Sequence, residues 1–216
     1  PAEPASSMRA MAMHGLGTVY IRTGRHDLAR EILNQGLAEA KSAGDLVMQG
    51  KLLNNLSIEA RNRREFAEAR DMLARARLAY TEAGIAIVPG QIPSALANID
   101  MAEGKLDDAD EHLQQALTTF RTLGDRRNEA MMLNNLGYLR TLQGRDDEAE
   151  PVIQQSLQIR KEIGDTVGQG RVLGMLSNLY VDAGRLQEAR EAAAEANRIA
   201  TEANDPLFMA TSMAQL

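Results

Sequence analysis

Apolar residues recur along this chain at the three- and four-residue spacings of amphipathic helices, and no stretch shows the alternation of a strand. Residues 129–142 show the pattern clearly, with apolar positions on one helical face at Ala130, Leu133, Leu136 and Leu139. Gly144 interrupts this run, and a second apolar face follows over residues 147–163. The pattern therefore predicts an all-α protein built from pairs of helices.

The helix pairs repeat every 40 residues. A leucine recurs at that interval, at Leu16, Leu56, Leu96, Leu136 and Leu176. An alanine follows each leucine at the same distance, at Ala29, Ala69, Ala109, Ala149 and Ala189. Because one such hairpin cannot bury its apolar face alone, neighbouring hairpins must stack into an α-solenoid.

Each repeat also carries its own stop and start signals. Glycines suited to the left-handed end of a helix stand at Gly44, Gly84, Gly124 and Gly164. Aspartates suited to cap the next helix follow at Asp45, Asp125, Asp165 and Asp205. We therefore expect a single solenoid domain over residues 1–216, with repeats at about 6–44, 45–84, 85–124, 125–164 and 165–204 and a partial repeat at 205–216.

Two positions depart from the pattern. In the third repeat Ile85 replaces the capping aspartate, and Pro89 and Pro93 lie where the first helix should begin. Proline is tolerated in the first turn of a helix, so this helix should start near one of the prolines and be short. A longer surface loop explains the insertion better than a functional kink. Arg64 takes a turn position that is glycine in the other repeats, which a solvated basic helix end explains.

The ends of the sequence suggest a fragment of a larger protein. The chain starts with proline instead of methionine, and residues 206–216 form only the first half of a sixth repeat. Phe208, Met209, Met213 and Leu216 would give that half-repeat an apolar stripe, whereas solenoid ends require polar caps. Two alternatives stay open: a terminal half-repeat that acts as a cap, or an end that pairs with a second copy.

Composition excludes several classes of function. The net charge of −6 and a sequence pI of about 5.2 argue against direct nucleic-acid binding, and there is no cysteine for a disulfide or thiolate site. No apolar run reaches the roughly 20 residues of a membrane span, and no signal peptide opens the chain. The three histidines stand apart from metal-ligand spacing. We therefore expect a cytoplasmic protein that is not an enzyme and holds no metal or cofactor.

The segment Leu16-Gly17-x-x-Tyr20-x-x-x-Gly24, continued by Ala29 and Gly36, resembles the tetratricopeptide repeat. The 40-residue period and the Asn-Asn-Leu-Gly motif at 134–137 are similar to the longer subclass of this repeat. That subclass includes kinesin light chains and the sensor regions of large bacterial transcription regulators. The resemblance implies a right-handed superhelix of antiparallel helix pairs, whose first helices line a concave groove.

The repeat register of that family implies which residues point into the groove. The amides at these positions are Asn54, Asn55, Asn98, Asn134, Asn135, Asn178 and Gln91, and the other side chains are Arg22, Lys51, Arg61, Tyr138 and Arg171. Asparagine is a mediocre helix former, and its amide both donates and accepts, which suits it to hold the backbone of an extended peptide. The alternative is that these amides merely bond neighbouring helices to each other.

The groove positions carry more positive than negative charge, although the chain is acidic. Such a lining favours a partner segment with acidic residues or a terminal carboxylate. The leading hypothesis is therefore a protein-interaction module that binds an extended peptide, as a regulatory or scaffolding part of a bacterial signalling or transcription regulator. A small-ligand sensor and a self-association module, including a homodimer through the exposed terminal helix, are the alternatives.

Overall fold

The computed structural model describes residues 4–85 and 89–202, and these residues form ten α-helices and no strand. The helices are α1 Pro4–Arg22, α2 His26–Ser42, α3 Leu46–Asn62, α4 Phe66–Glu82, α5 Gln91–Glu103, α6 Leu106–Thr122, α7 Arg126–Leu142, α8 Asp146–Glu162, α9 Thr166–Asp182 and α10 Leu186–Glu202. The predicted all-α class is confirmed.

Consecutive helices form hairpins because the turns that join them are only a few residues long. The closest packing is within the hairpins α1–α2, α3–α4, α7–α8 and α9–α10. The chain divides into two compact units, Pro1–His112 and Leu113–Leu216, called unit 1 and unit 2 below. A single domain over residues 1–216 stays a prediction, and the residues of the half-repeat at 205–216 lie outside the described ranges.

The predicted caps are present at the hairpin junctions. The side chains of Asp45, Asp125 and Asp165 accept hydrogen bonds from the third backbone N–H of the helices they precede, at 2.9, 3.1 and 3.1 Å. The glycine before each aspartate has a positive φ of 66–67°. Each bond satisfies one N–H that a helix start leaves without an intrahelical partner.

Small residues allow the two helices of a hairpin to approach closely. In unit 1 a Cβ on Gly17 would overlap the buried side chain of Leu33, and in unit 2 a Cβ on Gly137 would overlap Ile153. The repeated alanines from Ala29 to Ala189 are buried. The repeat pattern predicts that Leu16 and Leu33 together fill the space between α1 and α2, but 41% of the Leu16 surface is exposed, because the described residues place no hairpin before α1.

Charged side chains join consecutive hairpins within each unit. The guanidinium of Arg30 on α2 donates to the fully buried carboxylate of Glu59 on α3 at 2.7 Å. Arg70 on α4 stands 40 residues later and donates to the buried Asp100 on α5 at 2.6 Å. In unit 2 the charges are reversed at the equivalent second-helix position, because Glu150 on α8 accepts a hydrogen bond from the guanidinium of Arg185 at 2.6 Å.

The irregular third repeat has the shortened helix that the prolines predict. Helix α5 has 13 residues, whereas α3 and α7 have 17. It begins at Gln91, its N-cap Gly90 makes no side-chain bond, and Pro93 lies in its first turn. The N–H of Ile92 donates to the carbonyl oxygen of Pro89 at 3.0 Å, which closes the turn that leads into the helix.

Arg64 adopts the left-handed backbone conformation, with φ of +64°. We expect Arg64→Gly to raise the free energy of unfolding by about 0.5–1 kcal/mol. Glycine removes a left-handed backbone strain of roughly 1–2 kcal/mol, and the larger conformational entropy that glycine loses on folding offsets part of this gain. Urea unfolding followed by circular dichroism measures the change. Gly144→Arg at the equivalent turn is the reciprocal control and should lower stability by a similar amount. A loss of stability in Arg64→Gly would instead show that the stacking of Arg64 over Phe66, at 5.8 Å, outweighs the strain.

Candidate functional site

Unit 1 contains a pocket of about 500 Å³ between its first helices. Helices α1, α3 and α5 contribute to its wall, together with the last turn of α4 and the residues Ile85 and Pro89. The lining residues are His14, Val47, Lys51, Asn54, Asn55, Tyr80, Ile85, Pro89, Gln91 and Ile92. We call it the unit 1 pocket.

The unit 1 pocket is lined mainly by apolar side chains and by the ring of Tyr80. This ring packs against Gly50, where a Cβ would come within 2.6 Å of the Tyr80 Cζ, so only glycine fits there. Burial raises the pKa of Tyr80, which keeps its hydroxyl neutral. Burial and the charge of Lys51 lower the pKa of His14, so its imidazole is neutral at pH 7.

Unit 2 contains a smaller pocket of about 320 Å³, formed by α7, α9 and the last turn of α8. Its lining residues are Arg127, Asn128, Met131, Asn134, Asn135, Arg160, Asp165, Arg171 and Val172. We call it the unit 2 pocket. Three arginines face one carboxylate here, so the lining carries a formal charge of 3 − 1 = +2 within a chain of net charge −6.

The charges of the unit 2 pocket centre on a buried ion pair. Arg160 donates through Nη1 to Oδ2 of Asp165 at 2.5 Å, and both residues are more than 90% buried. Burial lowers the pKa of Arg160, and the nearby Arg171 and Arg127 add to this effect against the opposing charge of Asp165. The pKa of Asp165 is lowered although burial opposes the shift, because the N–H of Gly168 and the arginines stabilise its ionised form.

The two pockets occupy equivalent places in the repeat pattern. Eight lining positions of the unit 1 pocket reappear in the unit 2 pocket when 80 residues, or two periods, are added. The pairs are 47 and 127, 51 and 131, 54 and 134, 55 and 135, 80 and 160, 85 and 165, 91 and 171, and 92 and 172. Each pocket is therefore the same structural site, built twice with different side chains.

The asparagines are the part that both pockets share. Asn54 and Asn134 stand at equivalent positions, and in each the side-chain oxygen Oδ1 is buried with no hydrogen-bond partner among the described residues. Asn55 differs, because its Nδ2 donates to Oγ1 of Thr18 on α1 at 2.8 Å. One predicted amide thus bonds a neighbouring hairpin, as the structural alternative expects, while two others lack the partner that buried polar atoms normally have.

The predicted groove residues are only partly brought together. Lys51, Asn54, Asn55 and Gln91 line the unit 1 pocket, and Asn134, Asn135 and Arg171 line the unit 2 pocket. The others line neither pocket: Arg22, Tyr138 and Asn178 are exposed, and Arg61 and Asn98 are half-buried. Burial lowers the pKa of Arg61, whose Nη2 donates to Oδ1 of Asn62 at 3.0 Å.

Sequence reasoning missed the contribution of the second helices. Tyr80 and Arg160 stand at equivalent positions in the last turns of α4 and α8, and each lines its pocket. The repeat alignment does contain a signal, because the same position is Ala40, Phe120 and Ala200 in the other repeats. A phenolic and a guanidinium group at an otherwise apolar core position mark it as unusual.

The described part of the chain contains neither a candidate metal site nor a candidate membrane span. No cluster of three or more histidine or acidic side chains there is arranged to hold a metal ion. Within the same residues, no helix has the length and apolar character that a bilayer crossing requires.

Comparison with known families matches the repeat pattern. A family model described as tetratricopeptide repeat matches residues 90–162 and 128–202, and a second model with that description matches residues 11–42. These matches cover more than half of the chain. Neither model is that of a catalytic family.

Known relatives share the fold more than the sequence. Regulatory protein AfsR of Streptomyces griseus is 40% identical over 80 residues, which are 37% of this chain and 8% of that protein. A Rap protein complexed with competence and sporulation factor superposes with a TM-score of 0.83 at 17% identity, over 94% of this chain and 57% of the other. A putative kinesin light chain of Podosopora anserina with nearly identical TPR-like repeats superposes with a TM-score of 0.67 at 20% identity, over 94% of this chain and 99% of the other.

The unpartnered amide oxygens lead to a stability prediction. We expect Asn54→Leu and Asn134→Leu to leave the free energy of unfolding unchanged or to raise it by up to about 1 kcal/mol, because a leucine of similar shape removes an unsatisfied buried acceptor. Asn55→Leu is the matched control and should cost about 0.5–1.5 kcal/mol, since it loses the bond to Thr18. Chemical denaturation of the three variants measures the difference. If all three variants lose stability equally, the asparagines serve the fold alone.

Proposed function

Because the chain belongs to the tetratricopeptide-repeat family, we propose that it is a protein-interaction module that holds an extended peptide or partner segment in its pockets. The Rap protein named above forms a complex with competence and sporulation factor, and the AfsR relative is a regulatory protein. Both support a regulatory role for this chain, as the sensory or scaffolding part of a bacterial regulator in the cytoplasm.

The observation that carries the proposal is the pair of unsatisfied amide oxygens on Asn54 and Asn134. Leaving a buried acceptor unpaired costs about 1–3 kcal/mol, so a residue that served only the fold would be disfavoured at these positions. A half-turn of the amide about χ2 exchanges Oδ1 and Nδ2. An N–H or a C=O of an extended peptide backbone can therefore bond the same side chain.

The charges of the unit 2 pocket support a partner with acidic residues. Arg171 is exposed and makes no ion pair within the described residues, and 68% of the Arg127 side chain is accessible. Guanidinium groups bind carboxylates through paired hydrogen bonds. The remaining predicted residues, Arg22, Arg61 and Tyr138 among them, are proposed to contact the partner outside the two pockets.

A small-ligand sensor is the second candidate, and the unit 1 pocket is the observation that favours it. Its volume of about 500 Å³ lies within the range of small-molecule sites. The apolar lining and the Tyr80 hydroxyl fit that use. The third candidate, self-association through a terminal half-repeat, concerns residues 205–216, which lie outside the described ranges.

The test of the proposal is selection of a random 12-residue peptide library on the purified protein. We expect enriched peptides to bind the wild-type chain and to lose at least tenfold in affinity for the double variant Asn54→Leu/Asn134→Leu, because both backbone contacts are removed while the shape is kept. Isothermal titration calorimetry measures the affinities. Direct binding of the peptides should also weaken with added salt, since the arginines are exposed.

Asn34→Leu supplies the matched control, because Asn34 is an exposed asparagine on the second helix α2 that lies outside both pockets and outside the predicted groove positions. This variant should bind the selected peptides with an affinity within twofold of wild type. Equal binding by the double variant and the wild type would contradict the proposal. A thermal-shift screen with metabolites and sugars distinguishes the small-ligand sensor from the peptide-binding module. A small molecule that raises the melting temperature, when no peptide is enriched, favours the sensor.

A further inference from the structure

The equivalent pockets share two asparagine positions but differ at a residue in the last turn of the second helix, which is Tyr80 in unit 1 and Arg160 in unit 2. We propose that this residue determines which partner side chain each pocket accepts: a bulky apolar side chain in unit 1 and a carboxylate in unit 2. The inference rests on the proposed function, because it assigns side-chain specificity to the peptide sites described above.

The unit 1 pocket suits an apolar side chain because of what surrounds the Tyr80 ring. Val47, Ile85 and Ile92 line the same pocket, and none of its described lining residues is acidic. The formal charge in the lining belongs to Lys51, which is exposed and can keep its ammonium group in water. An apolar side chain placed against Tyr80 therefore loses contact with water without burying a charge.

The unit 2 pocket suits a carboxylate because Arg160 is fixed and still has donors to offer. Its Nε donates to Oγ of Ser156 at 3.4 Å and its Nη1 to Asp165 at 2.5 Å, while no hydrogen bond among the described residues uses its Nη2. Arg171 and Arg127 line the same pocket. Three guanidinium groups around one carboxylate leave positive charge that a second carboxylate can neutralise.

The two pockets also differ at the position that packs against Tyr80 in unit 1. Tyr80 packs against Gly50, and 80 residues later the position of Gly50 is occupied by the buried Ala130. The extra methyl group at Ala130 stands where the tyrosine ring lies in unit 1. A tyrosine at position 160 would therefore need a second change at Ala130, whereas Gly50 leaves room for either side chain in unit 1.

These observations separate two tasks within each pocket. The asparagines at 54 and 134 are the same in both and are placed to contact a peptide backbone, which every partner has. The residues at 80 and 160, with Ile85 and Asp165 beside them, differ in polarity and charge. Side-chain preference therefore comes from the end of the second helix.

The experiment uses two probes that have the same backbone amides and differ in side chain: the N-acetyl α-amides of leucine and of aspartate. Each is titrated into the ¹⁵N-labelled chain and followed by ¹H–¹⁵N NMR. We expect the leucine probe to shift amide signals of the unit 1 pocket, and the aspartate probe those of the unit 2 pocket, each with at least about fivefold preference. Raising the salt from about 50 to 300 mM should weaken the aspartate probe alone, because only its binding is electrostatic.

Exchanging the determining residues should exchange the preference. The variant Tyr80→Arg/Ile85→Asp places an arginine and its carboxylate partner in the unit 1 pocket beside Gly50, which leaves room for either side chain. We expect its unit 1 pocket to lose the leucine probe and to gain the aspartate probe by at least about fivefold. The unit 2 signals of this variant act as the internal control and should respond as in wild type.

Two single variants in unit 2 test the inference if the variant Tyr80→Arg/Ile85→Asp does not fold. Arg160→Met removes the buried guanidinium and should weaken the binding of the aspartate probe at least about fivefold, whereas Arg190→Gln removes an exposed charge that lines neither pocket and should change this binding less than twofold. Equal effects of these two variants, shifts by both probes at the same residues, or no saturable shift would each overturn the inference. If the probes discriminate between the pockets but the library yields no enriched peptide, only the proposed function is overturned. If peptides are enriched but the probes do not discriminate between the pockets, only the inference is overturned.

Discussion

The close approach of the two helices in each hairpin is the constraint on which the rest of the structure depends. At Gly17 and Gly137 no side-chain atom fits between the helix and the leucine or isoleucine of its partner. Eight of the ten described helices have 17 residues, with α1 and α5 as the exceptions, and the chain repeats with a constant period of 40 residues. A constant period in turn gives residues 40 or 80 positions apart the same environment, and this is why one pocket can occur twice with different linings.

Much of the fold could be predicted from the sequence because each hairpin carries its own local signals. The left-handed glycines, the capping aspartates at Asp45, Asp125 and Asp165 and the short α5 follow from residue chemistry within a few positions of each feature. Leu16 was misjudged for a tertiary reason, since its burial depends on a neighbouring hairpin on its outer side and not on its own repeat.

The site was predictable only where first helices form it. Asn54 and Asn134 were identified from the repeat register of the family, supported by the low helix propensity of asparagine, but their lack of a partner depends on which residues the neighbouring hairpin presents. Asn55, one residue from Asn54, has the same chemistry and bonds Thr18. Tyr80 and Arg160 were missed since the periodic pattern assigns their position to the core, and only packing shows that the ends of α4 and α8 reach the pockets.

The ion pairs between consecutive hairpins have a consequence for the evolution of the chain. Arg30 and Arg70 face the acids Glu59 and Asp100, whereas at the same repeat position Glu150 faces Arg185. If recombination placed the fourth hairpin directly before the third, Glu150 would meet Asp100, and two like charges would be forced into one buried junction. The sign of the charge at each junction therefore fixes which hairpin can follow which, and so the order of the repeats in the chain.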